Sequence, residues 1–158
     1  MATERPAEVL RNLLKHMGLE AEVVAQEDAE RITLEVKGPE TGLVIGKKGQ
    51  TLDSLQYLVN KIVSKGVPED AESKPINVDA EGYRGRRAEA LTEMAHKLAD
   101  KARKSGKPVA AEPMSAADRR VIHVALAEAQ GVTTRSEGEG IYRHLVVIPT
   151  AGGDAAPK

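Results

Sequence analysis

The sequence predicts an α+β protein made of two small domains, and three observations carry that expectation. Stretches with apolar residues at helical spacing are interleaved with short alternating strands. Glycine and proline punctuate the joins between them. A chain of 158 residues is long enough for two small cores, and the short polar segment Asp79-Ala80-Glu81-Gly82 divides one set of elements from the next.

Residues 3–17 place Val9, Leu10, Leu13, Leu14 and Met17 on one side of a helix, which Gly18 ends. Leu19, Ala21 and Val23 alternate with Glu20 and Glu22. Ile32, Leu34 and Val36 alternate with Thr33 and Glu35, so residues 19–36 read as a hairpin turning at 26–30. Gly38-Pro39-Glu40-Thr41-Gly42 breaks the second strand, and Leu43-Val44-Ile45 leads into Gly46-Lys47-Lys48-Gly49. From Gln50, Leu52, Leu55, Leu58, Val59 and Ile62 mark a second helix ending near Gly66, and residues 75–79 make a third strand.

The second set opens near Gly82. Ala88, Leu91, Met94, Ala95, Leu98 and Ala102 form a long amphipathic helix stopped by Ser105-Gly106 and Pro108. Ser115 and Asp118 have the spacing of an N-cap and its acidic third residue, so a further helix should run from there to Ala129 or Gln130. After Gly131, residues 132–136 and 141–148 read as a hairpin around Glu137-Gly138-Glu139-Gly140. The domains are expected at 3–80 and 81–149, with 150–158 a disordered tail.

Composition narrows the function. Cysteine is absent, which excludes a disulfide framework, thiolate metal sites and a cysteine nucleophile. No basic and apolar leader opens the sequence, and the longest aliphatic run, Leu145 to Ile148, is far below the roughly 18 residues of a membrane span. A cytoplasmic protein is the expectation. The net charge of -1 hides a segregation: residues 1–40 hold five basic and nine acidic side chains, whereas 83–120 hold ten basic and five acidic. The four histidines have no ligand-like spacing, no paired carboxylates or nucleophile are set for catalysis, and no metal, cofactor or enzyme activity is expected.

The Gly46-Lys47-Lys48-Gly49 loop faces anions. Glycines let the main chain turn sharply and come close to a sugar-phosphate backbone. The helix behind adds unpaired N–H groups and the positive end of its dipole, and the two lysines add charge. A nucleotide-hydrolysing P-loop does not fit: Gly42 and Gly46 enclose three residues rather than four, and position 48 is Lys rather than Ser or Thr. With Leu43-Val44-Ile45 before it and a helix after it, the loop resembles that of a KH domain. That resemblance implies a type II-like arrangement and a G-x-x-G clamp on single-stranded RNA, with Ile45, Leu52 and Leu55 as candidates to line the base side.

Arg119 and His123 are four apart on one helix face and together offer a guanidinium fork and an imidazole to a phosphate. Arg84, Arg86, Arg87 and Arg120 add charge nearby in the sequence. The helices, Gly131-Val132-Thr133-Thr134-Arg135-Ser136-Glu137-Gly138-Glu139 and Tyr142-Arg143 resemble the small Arg-x-x-x-His domain that binds single-stranded nucleic acid. The pairing is similar to that of the Jag, or SpoIIIJ-associated, family over residues 3–149. It is closest at Val44-Ile45-Gly46-Lys47-Lys48-Gly49-Gln50-Thr51-Leu52-Asp53-Ser54-Leu55-Gln56-Tyr57-Leu58 and at Arg119-Arg120-Val121-Ile122-His123.

The resemblance implies a post-transcriptional regulator or RNA chaperone tied to cell envelope growth or division. Ile45, Gly46, Lys47, Lys48, Gly49, Arg84, Arg86, Arg87, Arg119, Arg120 and His123 would then meet RNA. An adaptor that pairs its KH-like part with another KH protein, or with itself, and touches nucleic acid only through the second domain is the alternative. Many family members carry a further N-terminal domain and linker that the resemblance does not reach, so roles of that extension are not carried over. With three Tyr and neither Phe nor Trp, recognition by broad stacking platforms is disfavoured.

Overall fold

In the computed structural model, which describes residues 1–151, the described chain divides into two compact units that meet between Arg84 and Gly85. Most of the tail expected to be disordered lies outside the described residues.

The first unit starts with helix α1 (Glu4–His16), whose Ala7, Leu10 and Leu14 are buried. Gly18, at φ 75°, carries the chain out of it. Strands β1 (Glu22–Glu27) and β2 (Ile32–Lys37) pair antiparallel, and β2 pairs parallel with β3 (Ile76–Ala80), giving the order β1-β2-β3. A parallel neighbour needs a crossover. Here it is α2 (Thr41–Ile45), the glycine loop and α3 (Gln50–Ser64). The order of helix, two strands, glycine loop, helix and strand is that of the type II-like arrangement.

Alternate residues of each strand fill one side of the sheet: Ile32, Leu34 and Val36 of β2, with Ile76, Val78 and Ala80 of β3, are all buried. They share a core with α1 and with Leu52, Leu55 and Val59 of α3. The free edge of β3 is protected by α3. Asn60 donates from Nδ2 to the Ile76 carbonyl (2.7 Å) and accepts the Ile76 N–H on Oδ1 (3.1 Å), while Gln56 Oε1 accepts the Val78 N–H (2.9 Å). The helix thus satisfies strand groups that another chain would otherwise pair with.

The second unit is built on α4 (Tyr83–Ser105), whose first two residues belong to the first unit. Its Leu91, Ala95, Ala99 and Ala102 are buried with Ile122 and Leu126 of α5 (Ala116–Leu126) and with Val132, Leu145 and Val147 of a small sheet. The sheet has the order β4-β6-β5, all antiparallel: β4 (Val109–Ala110), β5 (Val132–Glu137) and β6 (His144–Pro149).

Five details differ from expectation. Residues 41–45, expected as the end of a break and an apolar lead-in to the loop, form the short helix α2. The first strand occupies 22–27 rather than 19–23, because Leu19 is still tied to the helix end by its N–H to the Leu14 carbonyl (3.0 Å). α5 stops at Leu126, where the chain tightens into bonds three residues apart, Ala127 to Val124 and Ala129 to Leu126. The last strand begins at His144, and Ile141 and Tyr142 lie instead in a 3-10 turn (Gly140–Tyr142). β4 was not expected at all.

Candidate nucleic-acid interface

Gly46 ends α2 at φ 73°, ψ -175°, a conformation essentially restricted to glycine. Lys47–Gly49 then make one 3-10 turn, and Gly49 (φ 76°, ψ 13°) caps α3. Lys48 takes a left-handed conformation, φ 54°, ψ 27°, which costs a residue with a Cβ about 1–2 kcal/mol.

Besides allowing the sharp turn, the glycines let the loop lie close against the protein itself. A Cβ on Gly46 would lie 2.2 Å from Thr51 Oγ1, and one on Gly49 would lie 2.7 Å from Tyr83 Cε1. The missing side chains let the loop pack onto α3 and Tyr83, and this fixes its shape. Lys47 is exposed, and Ile45, Gly46 and Lys48 are half-buried, so the outer side of the loop is open.

Leu52 and Leu55 do not line that side: they are 0% and 3% exposed and belong to the core, because α3 turns this face toward the sheet. Ile45 packs against the same core while remaining partly accessible. The exposed aliphatic side chain beside the loop is Leu43, which sequence periodicity did not distinguish from its buried neighbour Val44.

Arg84 is clamped inside the first unit. Its Nε donates to the Val78 carbonyl (2.9 Å), Nη1 to Asp53 (2.8 Å) and Nη2 to Gln56 (3.1 Å). The guanidinium therefore ties the end of β3 to the first turns of α3.

In the second unit, Ser115 caps α5 by accepting the Asp118 N–H (3.2 Å), as its spacing predicts. The helix then presents Arg119 and His123. Arg119 is half-buried and donates from Nη1 to the Met114 carbonyl (2.7 Å); His123 is exposed and its Nδ1 shares a hydrogen bond with the Thr134 hydroxyl (2.6 Å). These anchors fix one edge of each group, which leaves other guanidinium donors and the imidazole Nε2 for a ligand. Arg120 and Arg86 are exposed. Arg87 donates from Nε and Nη2 to Asp118.

Sequence reasoning also missed Ile141 and Tyr142, 83% and 72% exposed. The signal was an apolar pair directly after Gly-Glu-Gly, where a strand was expected to begin.

Comparison with known proteins agrees with this organisation. Residues 7–72 match the KhpA/KhpB KH domain model, and residues 89–149 match the model of the Arg-x-x-x-His domain. RNA-binding protein KhpB of Clostridium symbiosum is 39% identical over 84% of this chain and 58% of its own length. KhpB of Bacillus subtilis is 34% identical over 87% of this chain and 66% of its own length, and that of Lactiplantibacillus plantarum is 33% identical over 85% and 41%. The chain thus spans less than two thirds of these relatives. With a KH match followed by an Arg-x-x-x-His match, and relatives that extend across both, the chain belongs to the KhpB, or Jag, family.

Proposed function

We propose that this protein binds single-stranded RNA, without catalysis, through two surfaces that correspond to domains at 3–80 and 81–149. The observation that carries the reading is the shaped Gly46–Gly49 loop, which sets one exposed and one half-buried lysine at the start of the 15-residue helix α3. Helix-start N–H groups and ammonium groups are chemistry for phosphate. Ile45, Gly46, Lys47, Lys48 and Gly49 form the first surface; Arg119, Arg120 and His123, with Arg86, form the second.

Arg84 and Arg87 were expected to meet RNA directly. Their internal acceptors support a positioning role instead, Arg84 behind the loop helix and Arg87 behind α5. The names of the relatives support RNA as the ligand. A post-transcriptional regulator or RNA chaperone acting in the cytoplasm, connected to envelope growth or division, is the role we assign. No helix among the described residues is long and apolar enough to cross a membrane.

The test is a Lys47→Asp, Lys48→Asp double variant titrated with a short single-stranded RNA at several salt concentrations. Folding should persist, affinity should fall, and the log-log salt slope should flatten by about 0.7 for each lost phosphate contact. Unchanged affinity in a folded variant removes the loop from the site.

One observation favours a second reading, an adaptor that pairs with another KH protein or a second copy. On α3, Tyr57, Leu58 and Ile62 are 62%, 43% and 39% exposed. Light scattering after size exclusion separates the two: an assembly that a Leu58→Glu, Ile62→Glu variant abolishes, with RNA affinity retained, supports the adaptor.

A further inference from the structure

The turn between β5 and β6 holds two large apolar side chains in water. Ile141 is 83% exposed and Tyr142 is 72% exposed, yet the backbone beneath them is closely fixed. Tyr142 N–H bonds to the Glu139 carbonyl (3.1 Å), Arg143 N–H to the Gly140 carbonyl (3.2 Å), and Arg143 Nη1 to the Gly138 carbonyl (2.7 Å). Gly138, at φ 87°, sits where a Cβ would come 3.1 Å from the Tyr142 carbonyl oxygen. A pinned turn that keeps an aromatic ring in solvent gains nothing for the core.

The turn is also tied to the Arg-x-x-x-His face. Met114 N–H donates to the Arg143 carbonyl (3.1 Å), and the Met114 carbonyl accepts from Arg119 Nη1 (2.7 Å). One residue therefore bridges the guanidinium proposed to hold phosphate and the residue next to Tyr142. The nearby side chains Glu139, Arg143 and His144 are polar rather than an apolar rim, and Arg143 and His144 add donors. An exposed ring whose chain neighbour is linked through Met114 to a phosphate-binding arginine suits a nucleobase, because every base offers a π-face to stack while its own phosphate can be held by the linked group. A protein-docking patch would instead present a wider apolar area, and the apolar surface of this turn is these two side chains.

We propose that Tyr142, flanked by Ile141, is a stacking platform for one nucleobase of a strand whose phosphate lies on Arg119 and His123. The proposal rests on the RNA-binding reading above and adds a base-contacting subsite to it. The subsite is sequence-tolerant, since stacking does not read hydrogen-bonding edges.

The experiment uses the full chain with two probes of equal length, a short oligouridylate and its abasic counterpart, which keeps the sugar-phosphate chain and lacks bases. Tyr142→Ala should weaken oligouridylate binding about tenfold and leave abasic binding unchanged, whereas Tyr142→Phe should behave as the parent. The three tyrosines and the absence of Trp permit a local readout. In a Tyr57→Phe, Tyr83→Phe background, Tyr142 is the only tyrosine, and its fluorescence should be quenched by oligouridylate and not by the abasic chain.

Equal affinity of Tyr142→Ala and parent for oligouridylate, with no quenching, overturns the platform. If Arg119→Ala still weakens both probes in that case, phosphate binding at the second surface stands. If Arg119→Ala changes neither, the underlying reading of that surface fails with it.

Discussion

Arg87 and Asp118 are 31 positions apart, and one carboxylate oxygen of Asp118 accepts from both Nε (3.2 Å) and Nη2 (2.9 Å) of Arg87. The side chains are 21% and 15% exposed, so the pair is largely shielded from water and joins the first turns of α4 and α5. Hydrogen bonds to charged groups contribute about 1.5–3 kcal/mol each, and removing one partner leaves the other desolvated without compensation.

Arg87→Ala should therefore lower unfolding stability by about 1–3 kcal/mol in urea titrations. Arg87→Lys should recover only part, because an ammonium cannot reproduce the planar fork. The RNA affinity of the folded variant should stay near that of the parent. Lost affinity at full stability would place Arg87 on the nucleic acid and not behind it.

The glycine loop gives an effect of opposite character. Gly46→Ala places a methyl 2.2 Å from Thr51 Oγ1 in a backbone conformation that alanine resists. Stability should fall by about 1–3 kcal/mol, and RNA affinity should fall too, since α2 and the loop must shift. Adding Thr51→Ala to this variant should restore part of the stability by removing the 2.2 Å contact with Oγ1, leaving the 2.8 Å contact with the Cβ at position 51 and the backbone strain. Full tolerance of Gly46→Ala, measured by thermal unfolding, would show that the loop shape is not set by this contact.

At the second surface the hydroxyl of Thr134 holds His123 through Nδ1. Thr134→Val keeps the branched shape on β5 and removes that bond, so the imidazole loses its fixed orientation. Affinity for single-stranded RNA should drop about threefold to tenfold, equivalent to the about 0.5–1.5 kcal/mol of one hydrogen bond, while the melting temperature changes little. His123→Ala should cost at least as much, and the double variant should cost no more than His123→Ala. Additive losses would mean that Thr134 and His123 act separately.

Much of this arrangement was legible because it depends on local pattern. Leu10, Leu14, Leu52, Leu91 and Ile122 lie at helical spacing and are all buried, and the Ser115 cap follows from its distance to Asp118. β1 was misplaced because, with only Val23 of its residues buried, it carries almost no burial pattern to detect. The roles of Arg84 and Arg87 were not legible, since their acceptors Asp53, Gln56 and Asp118 are brought near by tertiary structure and carry no short-range signature. Tyr142 was hidden for a related reason: Ile141-Tyr142 resembles the start of a strand until the Arg143 and Met114 bonds fix the turn.

The turn between β1 and β2 carries a pH dependence whose sign can be worked out. Asp28 accepts the Glu30 N–H (2.7 Å) and the Arg31 N–H (2.8 Å), and these bonds, the Glu30 one foremost, hold its carboxyl below the ordinary value of 3.8. A carboxyl depressed in the folded state contributes stability above its unfolded pKa, and that contribution is lost as the pH falls through the folded value. Asp28→Asn keeps an acceptor oxygen for the turn and removes the titrating charge. The parent should thus exceed the variant in stability by a constant margin at neutral pH, and the margin should shrink below pH 3.8. Melting temperatures of the two proteins, taken from about pH 7 down to about pH 3 at low salt, check this, because other carboxyls titrate in both and cancel in the difference. A margin that stays level over that range would show that the charged form of Asp28 gains nothing from the turn.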